Sequence, residues 1–188
     1  MMERRRRFLL GARFDFAVLK VQSPGCSKVI DTLTHAGNFP EMRPPCSDYQ
    51  KTKGLIYFAR MLDKIRLHAA GELPPDYCVG VDEPDLFDAR CTRFLGVNYD
   101  ELAKRTLEGG SDEEILEWCF ANGRRPGAEE IDIWNAFLAK RGWRDPGSAD
   151  LQAAKERYGW GNRDDIQTWV DLHDVDEGRP PGQAHLAG

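Results

Sequence analysis

Arg60, Asp63 and Arg66 recur at every third residue, and in a helix residues three and four apart share a face. On a helical wheel that row falls between Ile56 and Leu67 on one side and the Leu55/Leu62 stripe on the other, so it lies on a partly apolar face. Arg90 falls between Leu86 and Phe94, again on the inward side, with Asp88 and Arg93 near it. An arginine turned inward must find anionic partners, because an unpaired buried charge costs several kcal/mol, on the order of 3 or more. Two readings are open. One is an Arg–Asp network that locks two helices together, for example Arg90 with Asp63. The other is a cluster of Arg60, Arg66, Arg90 and Arg93 whose spare donors grip the carboxylate or phosphate of a small anionic ligand.

A second group lies further along. Trp134, Asn135, Arg141, Trp143, Arg144 and Asp145 fall within a short stretch. Trp134 belongs to an apolar stripe and reads as core. Asn135, at the edge of that stripe, reads either as a pocket hydrogen-bonder or as a satisfied interhelix contact. Trp143 follows a helix stop, where an aromatic covers the core or flanks a cleft. His173 shares the apolar line of Ile166, Trp169 and Val170, the position of a satisfied core histidine or of a general base; Asp63 is the other candidate base. His68 falls beside Lys64 on the solvent side and takes no role. There is no Walker loop, no G-x-G-x-x-G, no H-E-x-x-H and no G-x-S-x-G, and the four histidines are scattered, so no metal and no cofactor is expected.

Helices must position these residues. From Gly54 the periodicity is that of helices with good stops, and strict two-residue alternation is nearly absent, so no sheet is expected. The first helix spans about 54–70 and ends at Gly71; a second covers about 86–95; a third, capped by Asn98, covers about 99–107. Ser111 with Glu114 forms a capping box that opens a fourth, closed by Gly123. A fifth runs over about 128–141, a weaker one from a Ser148 cap to Tyr158, and a last one opens at Asn162 with Asp165. The fold class is therefore all-α, a compact single domain of six to seven helices with short links. Residues 51–176 form it, 1–50 are a loop-rich basic leader, and 177–188 are a Pro-Gly-rich tail.

The chain has 188 residues, 31 acidic against 26 basic side chains, 41% hydrophobic residues and a mean hydropathy of −0.57. The first 41 residues hold seven basic and four acidic side chains, which leaves an acidic body with 19 and 27. That balance argues against nucleic acid, and no apolar run approaches the ~20 residues of a membrane span. Arg5-Arg6-Arg7-Phe8-Leu9 fits a twin-arginine export pattern, but Arg13 and Asp15 break the apolar stretch that export requires. Met42 offers a second start just before the ordered pattern. Five cysteines without a C-x-x-C pair fit reduced thiols and a cytoplasmic location.

Several runs carry a resemblance. They are Gly54-Leu55-Ile56-Tyr57-Phe58-Ala59-Arg60-Met61-Leu62-Asp63 with Leu73-Pro74-Pro75-Asp76-Tyr77, then Cys91-Thr92-Arg93-Phe94-Leu95-Gly96-Val97, Ile133-Trp134-Asn135 and Lys140-Arg141-Gly142-Trp143-Arg144-Asp145. Together with Asp112 to Cys119 and Asp164 to Gln167, these resemble the bacterial domain-of-unknown-function family numbered five thousand and sixty-nine, over about residues 50–178. The resemblance implies a small soluble bacterial domain and assigns no residue a role. The expectation is a domain that binds a small anionic ligand or a protein partner without catalysis. The alternative is a small metal-independent enzyme, in which Arg66 and Arg90 hold the anion while Asp63 or His173 acts as base. A homodimer through an exposed aromatic patch is the third possibility.

Overall fold

The computed structural model of the chain describes residues 42–182. Residues 1–41 of the basic leader, with the twin-arginine pattern, and 183–188 of the tail lie outside the described residues.

The body is helical, as its periodicity predicts, with one addition at the start. Lys51–Thr52 (β1) and Leu55–Ile56 (β2) pair antiparallel, Lys51 opposite Ile56 and Thr52 opposite Leu55. Lys53 (φ 48°) and Gly54 (φ 88°) both turn left-handed between them, the geometry of a tight hairpin turn whose twist matches its strands. Strands of two residues are too short to produce an alternating pattern, which is why the sequence shows helix there. The first helix consequently begins at Phe58 and not at 54.

That helix, α1 (Phe58–Ala70), is the axis of the domain. It buries Phe58, Ala59, Met61, Leu62, Ile65 and Leu67, and with them Arg60 and Lys64. Lys64 is a departure from the expected solvent side. α1 ends at Gly71 in the left-handed conformation (φ 72°), and it starts from Tyr57 in the same conformation (φ 72°). The latter is uncommon for a bulky aromatic residue and must be held by its surroundings.

Around α1 pack α2 (Phe87–Leu95), α3 (Tyr99–Leu107), α4 (Asp112–Asn122) and α5 (Ala128–Lys140). Their boundaries follow from local chemistry. Asn98 accepts from the backbone N–H groups of Asp100 and Glu101 at 2.9 and 3.2 Å, and Ser111 and Glu114 exchange bonds at 3.2 and 2.8 Å as a capping box. Gly127 N donates to Glu130 at 2.8 Å to open α5. Leu55, Phe58, Leu62, Cys91, Leu95, Leu102, Ile115, Leu116 and Leu138 form the main core with Trp134.

α6 (Ser148–Arg157) and α7 (Trp169–Asp176) close a smaller second core of Leu151, Ala154, Ile166 and Leu172. Here two boundaries differ from the sequence expectation. Gly147 occupies the cap position of α6, while the Ser148 hydroxyl accepts from Asp145 N at 2.9 Å. The last helix begins seven residues later than Asn162. Its capping box is Thr168 with Asp171, and Trp169 N donates instead to Arg141 O at 2.9 Å, tying the helix start to the end of α5. Ile166 is buried, but from the segment between α6 and α7 and not from a helix. None of the helices among the described residues is long and apolar enough to cross a membrane.

The C-terminal ends of α2 and α4 meet at Gly123. Arg124 N donates to Leu95 O at 2.8 Å, and a Cβ at Gly123 would stand 2.3 Å from that carbonyl oxygen. Gly96 O and the Val97 Cγ1 methyl, both at 2.8 Å, crowd the same position. Gly123→Ala is expected to cost about 2 kcal/mol or more, as overpacking against a fixed backbone does, read as a lowered midpoint in urea unfolding.

Candidate functional site

A cleft of about 380 Å³ opens where the two cores meet. One wall is α1 with the segment after it, through Tyr57, Arg60, Lys64 and Tyr77; the start of α2 adds Phe87. The facing wall comes from α6 and α7, through Arg157, Tyr158, Trp169 and His173. The size suits a small molecule.

Two buried polar arrays support this cleft. In the first, the Lys64 ammonium has three donors and three partners: Asp88 at 2.8 Å, Cys78 O at 2.9 Å and the Tyr57 hydroxyl at 3.1 Å. Tyr57 in turn donates to Asp88 at 2.7 Å, and Gly80 N adds a bond to the same carboxylate at 3.2 Å. With every group satisfied, Lys64 tolerates burial, and Tyr57 is fixed in its left-handed conformation. Burial, with the Asp88 charge beside it, pushes the Tyr57 phenol well above its ordinary range, so it stays protonated and donating.

The second array is built on Arg60. Its guanidinium donates to both oxygens of Glu177 (2.9 and 2.5 Å) and to Cys46 O at 2.8 Å, and its Nε lies 3.4 Å from Asp48. Tyr77 OH also donates to Glu177, at 2.8 Å. Asp48 is fully buried, and its second partner is His173, whose Nδ1 lies 3.1 Å away. Burial alone would raise the Asp48 carboxyl, but Arg60 and His173 outweigh it and hold the group below the usual carboxylate range. An ionised Asp48 only accepts, so Nδ1 carries the proton. The other ring nitrogen, Nε2, has no hydrogen-bond partner among the described residues, and the ring lines the cleft between Phe87 and Trp169. This is the arrangement by which a buried carboxylate fixes the tautomer and orientation of a working imidazole.

The residues singled out from the sequence separate in space. Arg60 and His173 meet in the cleft. Arg66 pairs with Asp112 at 2.7 Å and Arg90 with Asp85, while the Arg93 guanidinium donates to Pro84 O at 2.5 Å; none of these three arginines lines the cleft. Asp63 is held outside it by a bidentate bond from Arg43, both contacts at 2.9 Å, and by Cys46 N at 3.0 Å. The interhelix pair of Arg90 with Asp63 is therefore not formed. Asn135 clasps the hairpin: it accepts from Ile56 N at 3.1 Å and donates to Gly54 O at 2.8 Å, with Trp134 Nε1 donating to Ile56 O at 3.2 Å. It satisfies a strand edge, not a ligand. Trp143 is exposed beside a separate, more open depression, with Arg144 over its ring.

Sequence reasoning missed Asp48, Tyr57, Lys64, Tyr77 and Glu177. Asp48 and Glu177 lie in stretches without periodicity that read as leader and tail, yet both side chains are nearly inaccessible to solvent. Arg179 reinforces that end, donating to Asp174 at 2.8 Å and to Pro45 O at 3.2 Å and pairing with Glu177. Among the described residues no three His, Cys, Asp or Glu side chains gather as a metal site requires.

The site and fold thus define a small helical domain with a single-chain cleft seated on buried ion pairs. The chain belongs to the DUF5069 family, a domain of unknown function, whose profile matches residues 42–179. No curated protein matches the chain.

Two outcomes test this assignment of the charges. Arg60→Ala strands Asp48 and Glu177 without their cation and is expected to cost about 3–5 kcal/mol. Arg66→Ala and Arg90→Ala, at partly exposed pairs, are expected to cost about 1 kcal/mol or less. Denaturant unfolding of the three variants gives the comparison. The second concerns acid. Because the folded Asp48 carboxyl titrates below its ordinary value, its stabilisation is complete above about pH 4 and is lost as pH falls through the folded value. The gap in melting temperature between wild type and Asp48→Asn should therefore shrink steadily on acidification; a gap independent of pH would show that Asp48 is not charged in the fold.

Proposed function

We propose that this domain is a small-molecule-binding protein whose ligand occupies the cleft beside His173. The observation that carries the reading is the pairing of fully buried Asp48 with His173 Nδ1, which turns the opposite edge of the ring to a cavity large enough for a metabolite. Asp48 is buried against Arg60, and its remaining acceptor capacity orients a histidine on the cleft wall, an arrangement common where an imidazole meets a ligand. Aromatic walls at Phe87 and Trp169 add apolar surface for the rest of the molecule.

The anion expected from the arginine row has less support here, since Arg66, Arg90 and Arg93 stand outside the cleft and Arg60 has its donors engaged. A second reading, a metal-independent enzyme with His173 as general base, is favoured by the same Asp48 pairing. The cytoplasmic location rests on cysteines with free thiols, Cys91 and Cys119 among them.

The reading is tested by native mass spectrometry of small molecules retained by the purified full chain. Ala153, on the exposed face of α6 and lining the cleft, gives a way to fill it. Ala153→Trp and His173→Ala should lose the retained species, and Arg66→Ala and Arg90→Ala should keep it. Retention by Ala153→Trp with loss in the two arginine variants would move the site to the arginine row and sink the cleft.

A further inference from the structure

Resting on that reading, the charge that the cleft leaves unneutralised defines what it receives. Each cation on its walls but one already has a carboxylate: Arg60 is held by Glu177 and Asp48, Lys64 by Asp88, and Arg141 by Asp145 at 2.6 Å. Only Arg157 lacks an ion-pair partner among the described residues. On the other side, Asp76, Glu83, Asp150 and Asp176 line the same cleft and none of them has a cationic partner among the described residues. The balance of free charge is thus four carboxylates against one guanidinium.

Three further features point the same way. Nδ1 of His173 donates to Asp48, so the neutral form of the ring, when present, offers its Nε2 lone pair, an acceptor, to the cleft. Phe87 and Trp169 stand near that ring, at centroid distances of 6.0 and 6.5 Å, and aromatic faces attract cations. At the rim, partial desolvation together with the charge of Asp76 raises the Asp176 carboxyl, and the more distant His173 and Arg60 offset this only in part. Tyr158 OH, 3.4 Å from Asp176, is a weak neutral contact and does not supply a counter-ion.

We infer that the cleft binds the ammonium group of a primary amine, with His173 Nε2 and the carboxylates of Asp176 and Asp76 as its acceptors and Trp169 and Phe87 against its carbon skeleton. A primary ammonium has three N–H donors and matches these acceptors, which a phosphate or carboxylate would meet with repulsion.

The test uses the full chain and matched pairs of probes: n-butylamine against butyrate, and phenethylamine against 3-phenylpropionate, with inorganic phosphate added. The amines should raise the melting temperature and move the His173 imidazole resonances, and the anions should do neither. Asp76→Asn with Asp176→Asn, both at exposed positions, should weaken amine binding by about tenfold or more with the melting temperature of the free protein preserved. Ala153→Trp should abolish it. Binding of the anions in place of the amines, or amine binding that survives the double carboxylate variant or Ala153→Trp, would overturn the ammonium assignment. No response to any probe would overturn it equally. The retained-ligand comparison reports separately on the cleft, so the two readings fail by different measurements.

Discussion

The charge of Arg60 is the constraint around which the domain is arranged. A guanidinium placed in the middle of the central helix, on a face that packs inward, has to be neutralised in place. The chain does this from both directions: Asp48 comes from the segment before the hairpin, and Glu177 from the residue after the last helix. Neither is near Arg60 in sequence, and neither would be buried without it. Once they are in position, Asp48 has a second acceptor site to offer, and His173 takes it. The orientation of the histidine is thus a by-product of satisfying an arginine.

The Lys64 array has the same logic one turn further along α1. Three acceptors converge on one ammonium, and the price is a tyrosine in a backbone conformation that aromatic residues seldom adopt. Tyr57 also links the two arrays, since its backbone N–H donates to Asp48 O at 2.8 Å while its hydroxyl serves Asp88 and Lys64. The floor of the cleft is therefore one connected polar structure inside an otherwise apolar helix bundle. Rigidity of that kind presents a fixed surface to whatever enters.

The helical class and most helix boundaries were legible in the sequence because caps act locally. Asn98, the Ser111–Glu114 box, Gly71 and Gly123 each work through neighbours within a few residues. The start of α7 was not legible: Asn162 with Asp165 and Thr168 with Asp171 offer the same local pattern, and a long-range bond from Trp169 to Arg141 decides between them. The hairpin escaped because each strand is two residues long. For the site, the wheel could place Arg60 inward, but its partners lie 12 and 117 positions away in stretches with no periodic signal. Lys64 looked solvated because nothing in its own helix reveals Asp88. Arg66, Arg90 and Arg93 looked alike from spacing, and only the packing of their neighbours turns them away from the cleft.

The bond between Arg60 and Glu177 joins positions separated by most of the domain. During synthesis from the N-terminus, α1 emerges long before Glu177 and His173 do, so a nascent chain carries Arg60 without its carboxylate and a half-cleft without its far wall. The hydrophobic core around α1 can assemble in that interval, whereas the cleft cannot. The cleft is completed last, with Glu177 and His173, and the same ion pair that completes the fold sets its far wall in place.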